Sequence, residues 1–210
     1  MTARTSPATV VICTSQPRQA GGPVRSTMPL TRVVDLDTLL GGGHDGADVA
    51  LAIDPRWLVS RQALRQALVR ARHAAPRLEA AVLGGGLLAH HAVLVEEGIR
   101  AVLVDEFAAV GRGPRRPAPA GWPCRNVAWG LWEVRSCPPR RGRGWGWVPG
   151  LPAPRSGGLH AAVAGDRRLV DWAARAVARG RAVAVTLAAL PAILEGRTAT
   201  PLAASVLKVA

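Results

Sequence analysis

The chain has 210 residues, 27 of them Lys or Arg and 14 Asp or Glu, for a formal net charge of +13. Hydrophobic residues make up 49% and charged residues 20%, a balance that supports one buried core and excludes wholesale disorder. No charge-free apolar run reaches the roughly 18 residues of a membrane-spanning helix, so no membrane partner is expected.

Residues 1–27 contain a short apolar stretch, Ala8 to Cys13, behind Arg4. It is shorter than a secretory signal core, and no small-residue cleavage site follows it. The rest of this lead-in is Ser, Thr, Pro, Gly and Arg without period. It is set aside from the fold as a disordered or spurious extension, with Met28 as an alternative start, which leaves 28–210 as a single α/β domain.

Residues 32–36 (RVVDL) read as a short first strand, followed by a glycine-rich turn from Gly41 to Gly46. Residues 48–54 (DVALAID) give a stronger strand signal, an apolar run that ends in Asp54 and Pro55. Ser60 then caps a helix with Leu64, Leu68 and Ala71 on one face and Arg61, Arg65, Arg70 and Arg72 on the other, and Pro76 ends it. Residues 78–83 (LEAAVL) are a second buried strand, closed by Gly84, Gly85 and Gly86. A helix over 87–97 places Leu87, His91, Leu94 and Val95 at helical spacing and stops at Gly98. Residues 100–104 (RAVLV) form the next strand, ending at Asp105 and Glu106. This alternation predicts parallel strands joined by helical crossovers.

Residues 111–123, rich in Gly, Pro and Arg, read as a connection, and 126–134 (NVAWGLWEV) as one strand. A long basic loop spans 136–158, with RRGRGWGW over 140–147 at its centre. After a strand at 159–163, Asp166 caps a helix that runs to Arg179 and ends at Gly180. Its apolar side carries Leu169, Trp172, Ala173, Ala176 and Val177. A last strand at 182–186 and a short helix at 187–195 complete the pattern.

Only Lys208 among the basic residues is a lysine, and tyrosine is absent, as GC-rich codon usage would produce. That usage explains arginine over lysine but not the excess of bases over acids. The excess is compatible with a solvated arginine surface or with an anionic polymer. The mixed Arg and Trp loop at 140–147 has the composition to hold single-stranded nucleic acid by charge and stacking, or a sugar face on Trp145 or Trp147. Cys13, Cys124 and Cys137 are odd in number and lack CxxC spacing, which fits reduced thiols in a cytoplasmic protein better than disulfides or zinc.

Asp54 and Asp105 each follow a strand, where α/β barrels place catalytic groups, although Asp54 before Pro55 also suits turn capping. His90 and His91 are adjacent on a helix, about 100° apart, so they do not readily share a metal. His44 sits in the first glycine-rich turn. Neither glycine triplet continues to the lysine and hydroxyl of a phosphate loop. His160, at the start of a late strand, is the histidine best placed to act in catalysis.

The strand ending Leu51-Ala52-Ile53-Asp54, the helix after it, and then Ala80-Ala81-Val82-Leu83-Gly84-Gly85 together resemble the opening of polysaccharide deacetylases of the NodB-homology type. The helix ending Val95-Glu96-Glu97-Gly98-Ile99, and the late His160, Gly180 and Val183 to Leu187, are similar to that family's later steps. The likeness runs from Asp48 to the C-terminus and implies a distorted (β/α) barrel. It also implies carbohydrate deacetylation, with a metal held by an aspartate and two histidines, a neighbouring aspartate as base and a late histidine as acid. Here Asp54 is followed by Pro55, Arg56 and Trp57, so one of two consecutive acids is missing. Residues 102–107 offer Asp105 and Glu106 where two histidines stand in the family. Asp54, Asp105 and His160 are therefore the candidate site residues of a degenerate member, without a cofactor, or with a divalent metal such as zinc only if the site works. A glycan is the expected partner, and the alternative is a basic nucleic-acid-associated protein.

Overall fold

A computed structural model describes residues 8–14, 28–42, 48–84, 89–105, 124–136, 159–164 and 167–196. Short β-branched and alanine-rich runs form nine strands of one sheet: β1 (Ala8–Thr14), β2 (Thr31–Val34), β3 (Val49–Ile53), β4 (Ala80–Leu83), β5 (Ala101–Val104), β6 (Cys124–Ala128), β7 (Leu131–Arg135), β8 (Leu159–Ala164) and β9 (Ala182–Ala184). The helices are α1 (Leu36–Gly41), α2 (Arg61–Ala74), α3 (His91–Glu96) and α4 (Arg167–Ala178), with a further helical turn at 190–196. The sheet order is β6-β7-β5-β4-β3-β2-β1-β8, with β9 added to β1. Every pairing is parallel except the β6–β7 hairpin. The result is a mixed α/β fold whose eight-strand path curls into a half-barrel.

Residues 1–27 were set aside on sequence grounds, and for Ala8–Thr14 the structure corrects this. Val10, Val11, Ile12 and Cys13 are buried, and β1 pairs with three strands. β8 lies along β1 from Thr9 to Thr14 and fills one edge. β9 and β2 divide the other edge, β9 at Ala8 to Val10 and β2 at Cys13 and Thr14.

Alternation along the strands sorts their side chains onto two faces. On the outer face Leu51, Ile53, Leu83, Val102 and Val104 pack against Leu64, Leu68, Val93 and Leu94 of α2 and α3. Val10 and Ile12 meet Leu169, Trp172 and Ala176 of α4. On the inner face Ala50, Ala80 and Ala101 stand in register across β3, β4 and β5, next to Trp132 of β7. This small-residue layer leaves room for Leu187, Leu190 and Leu194, all buried, from the C-terminal segment. Each such leucine contributes roughly 1.5–3 kcal/mol of apolar burial. The inside of the curl is therefore packed core.

The caps follow the sequence signals. Ser60 accepts from the Ala63 N–H to start α2. At the end of α3 the Ile99 N–H donates to the Leu94 carbonyl and the Gly98 N–H to that of Val95, with Gly98 at φ +80°. Gly180 closes α4 in the same way, through Arg181 to Ala176 and Gly180 to Val177. Both are the paired carbonyl captures of a Schellman motif, which require a left-handed residue.

Three expectations about elements change. Leu36 does not extend the first strand: Asp35 accepts from the Thr38 N–H at 2.7 Å and starts α1 instead. The helix expected over 87–97 is α3 from His91 to Glu96, with His90 left-handed (φ +57°) ahead of it rather than on it; a 3-10 turn (Pro55–Val59) also precedes α2. The segment read as one strand over 126–134 is a hairpin turning at Trp129 (φ +38°) and Gly130 (φ +86°), the two left-handed positions of a type I′ turn.

Candidate functional site

In a parallel α/β sheet the residues that follow the C-terminal ends of the strands share one rim. Asp54 follows β3 and Asp105 follows β5, with β4 between them. Two strand spacings of about 4.8 Å separate these ends by roughly 10 Å, too far for a shared proton.

Asp54 is occupied locally. Its Oδ1 accepts from the Arg56 backbone N–H at 2.9 Å and from Arg56 Nε at 3.1 Å. Its Oδ2 accepts from Arg56 Nε at 2.9 Å and Nη2 at 2.6 Å. The Arg56 hydrogen bonds hold the Asp54 carboxyl below the usual carboxylate range. Asp54 thus performs the turn-capping role, reinforced by an ion pair.

Asp105 is buried, at 7% exposure, and its N–H donates to the Leu83 carbonyl at 2.8 Å. Its charge reaches Cys13, three intervening strands away along the sheet path, which is a consequence of the curl. Burial pushes the Cys13 thiol up to about 12, a hydrogen bond from Thr31 opposes this in part, and Asp105 adds to the rise. The Thr31 hydroxyl in turn accepts from the Leu187 N–H at 2.7 Å, which ties the C-terminal segment to the start of β2. Thr31 was not singled out in the sequence, and Cys13, in the segment set aside, was read only as a reduced thiol. A run of four apolar residues, Val10 to Cys13, was the available signal.

His160 does not join the two acids. It stands near the N-terminal end of β8, opposite Val10 of β1, and its ring meets Trp172 of α4 edge-on at 5.7 Å and 80°. Its neighbours Leu159 and Ala161 face the inner core, so alternation turns His160 to the outer face. Glu106, His44, Cys137 and the 140–147 loop lie outside the described residues.

These residues do not fit the metal that the family resemblance implies. Asp54 has its acceptor positions filled by Arg56, and His160 is on the opposite face. His73 bonds the Val69 carbonyl on α2, and His90 bonds that of Leu58. Among the described residues no three of His, Cys, Asp and Glu converge on a common point. Cys13 and Cys124 are free thiols, and no described helix is long and apolar enough to cross a membrane.

Part of the arginine surface is neutralised within the fold. Arg61 and Arg65 of α2 pair with Glu96, Arg65 also with Glu97, Arg100 with Glu195, and Arg125 and Arg135 with Glu133. Compared with protein-family models, curated proteins and solved structures, the chain matches none.

Proposed function

We infer that the chain is a non-hydrolytic relative of the polysaccharide deacetylases, a carbohydrate-related binding or scaffold protein built on that family's layout. The reading rests on one observation. A carboxylate offers about four acceptor positions, and Arg56 alone makes four contacts with Asp54. An acid so occupied, with its pKa lowered, is a poor general base and a poor metal ligand.

The experiment is an acetate-release assay of the purified full chain on acetylated chito-oligosaccharide with added zinc or cobalt. No release above the protein-free background is expected. Metal-dependent release that disappears in Asp54→Asn would overturn the reading.

A further inference from the structure

Between α3 and the β6–β7 hairpin lies a cleft of about 410 Å³. Its apolar wall includes Val93, Ala128 and the indole of Trp129, and its polar side carries Arg61, His90 and His91. Trp129 is 80% exposed, although a large aromatic side chain ordinarily gains by burial.

Two local costs meet here. His90 at φ +57° and Trp129 at φ +38° are the two non-glycine residues at positive φ among the described residues, and both line this cleft. Type I′ turns favour Asn, Asp or Gly at the position Trp129 holds. Backbone conformations of this kind persist where surrounding structure or function requires them. In addition, the Nε2 of His91 is buried without a hydrogen-bond partner, which is a cost in the free protein.

The lining selects the ligand chemistry. Arg61 is the cleft's cation, and Glu96 already holds its guanidinium at 3.1 Å, so no unpaired positive charge awaits a phosphate. The described lining has no carboxylate, amide or hydroxyl side chain, the groups that satisfy adjacent sugar hydroxyls as donor and acceptor together. What remains is an indole face, an aliphatic wall and two imidazoles. The His90 Nε2 donates to the Leu58 carbonyl at 3.1 Å, which leaves Nδ1 of a neutral ring as an acceptor. A mostly apolar site with a few placed polar groups suits a small flat molecule.

We propose that this cleft binds an uncharged heteroaromatic ring of purine size, stacked on Trp129 and hydrogen-bonded by the imidazole of His90. The lining includes none of Asp54, Asp105 and His160, and the site does not depend on the deacetylase-like reading.

The test titrates the full chain with adenosine and guanosine by calorimetry and ligand-observed NMR, with AMP, oligo(dA) and chitotriose as comparison arms. Saturable binding of at least one nucleoside is expected. Trp129→Asn should weaken it at least fivefold, in line with stacking energies of about 1–3 kcal/mol. Asn suits the turn, so the variant should fold and unfold at or above the wild-type temperature, which separates lost binding from lost structure. His90→Gly keeps the left-handed backbone, removes the imidazole and should also weaken binding. No saturable nucleoside binding, or binding unchanged in Trp129→Asn, overturns the proposal. So does chitotriose binding that is lost in Trp129→Asn. AMP or oligo(dA) bound more than tenfold tighter than adenosine would overturn the assignment to an uncharged ring.

Discussion

Arg56 Nη2 lies 2.6 Å from Oδ2 of Asp54, and Arg56 Nε reaches both carboxylate oxygens from only two residues along the chain. The pair forms where β3 ends and Pro55 begins the 3-10 turn, so the acid and its partner are set by the same local bend. A strand-end aspartate of this kind is part of the turn, and its chemistry should follow its neighbour.

Arg56→Ala should therefore raise the Asp54 carboxyl toward its ordinary value, because the Arg56 side-chain hydrogen bonds do most to lower it. The depressed value means that the pair's stabilising contribution is present above the unfolded pKa. It is lost as pH falls through the folded one. Carboxyl carbon shifts followed through an acid titration measure this, and an unmoved Asp54 titration in Arg56→Ala would refute the coupling.

Leu190→Ala should destabilise the fold by about 2–5 kcal/mol, the range for a buried leucine that leaves a cavity. Leu190 is fully buried against the inner face, where the alanine layer cannot collapse to fill the space. By contrast Glu195→Gln, which removes an exposed ion pair with Arg100, should cost no more than about 1 kcal/mol. Urea unfolding of the two variants compares them directly. Equal midpoints would mean that the C-terminal segment does not pack inside the curl.

Cys13 should resist alkylation in the native protein, since burial pushes its thiol up to about 12 and only the thiolate attacks. Iodoacetamide at mildly alkaline pH, read by site-resolved mass spectrometry, should label it only after denaturation. Cys124, raised to about 11 by partial burial, should be slowed less. A folded pKa above the unfolded one gives a contribution that is complete below the ordinary thiol value. It drains away as pH climbs through the folded value, so stability should decline from about pH 9 to about 12. Native-state labelling of Cys13 at the denatured rate would contradict its burial.

The sequence made some of this fold legible and hid the rest for identifiable reasons. Ser60, Gly98 and Gly180 were readable because capping chemistry is local. β3, β4 and β5 were readable as apolar runs between turn residues. β1 was not, because two of its three partners among the described residues, β8 and β9, are distant in sequence and its flanks carry no pattern. The β6–β7 hairpin hid behind a tryptophan in a position that usually holds Asn, Asp or Gly.

The candidate site was legible only in part. Asp54 and Asp105 do stand at strand ends, but sequence position alone said nothing of Arg56 closing on Asp54. His160 could have been placed by alternation, since the flanking Leu159 and Ala161 are both core residues. The cleft at Trp129 required the turn and α3 to be brought together in space, which no spacing in the chain encodes.

The forked edge of β1 has a kinetic side. Thr9 must wait for Leu159, and Ala8 for Ala182, before the strand is flanked. At ribosomal elongation rates that delay is on the order of ten seconds. During it, the apolar stretch Val10 to Cys13 is present with only β2 to pair with, so β1, made well before β8 and β9, settles late. Such late closure of distant contacts slows folding and leaves nascent chains exposed to aggregation. This protein's yield in a cell should depend on what shelters Val10 to Cys13 while β8 and β9 emerge.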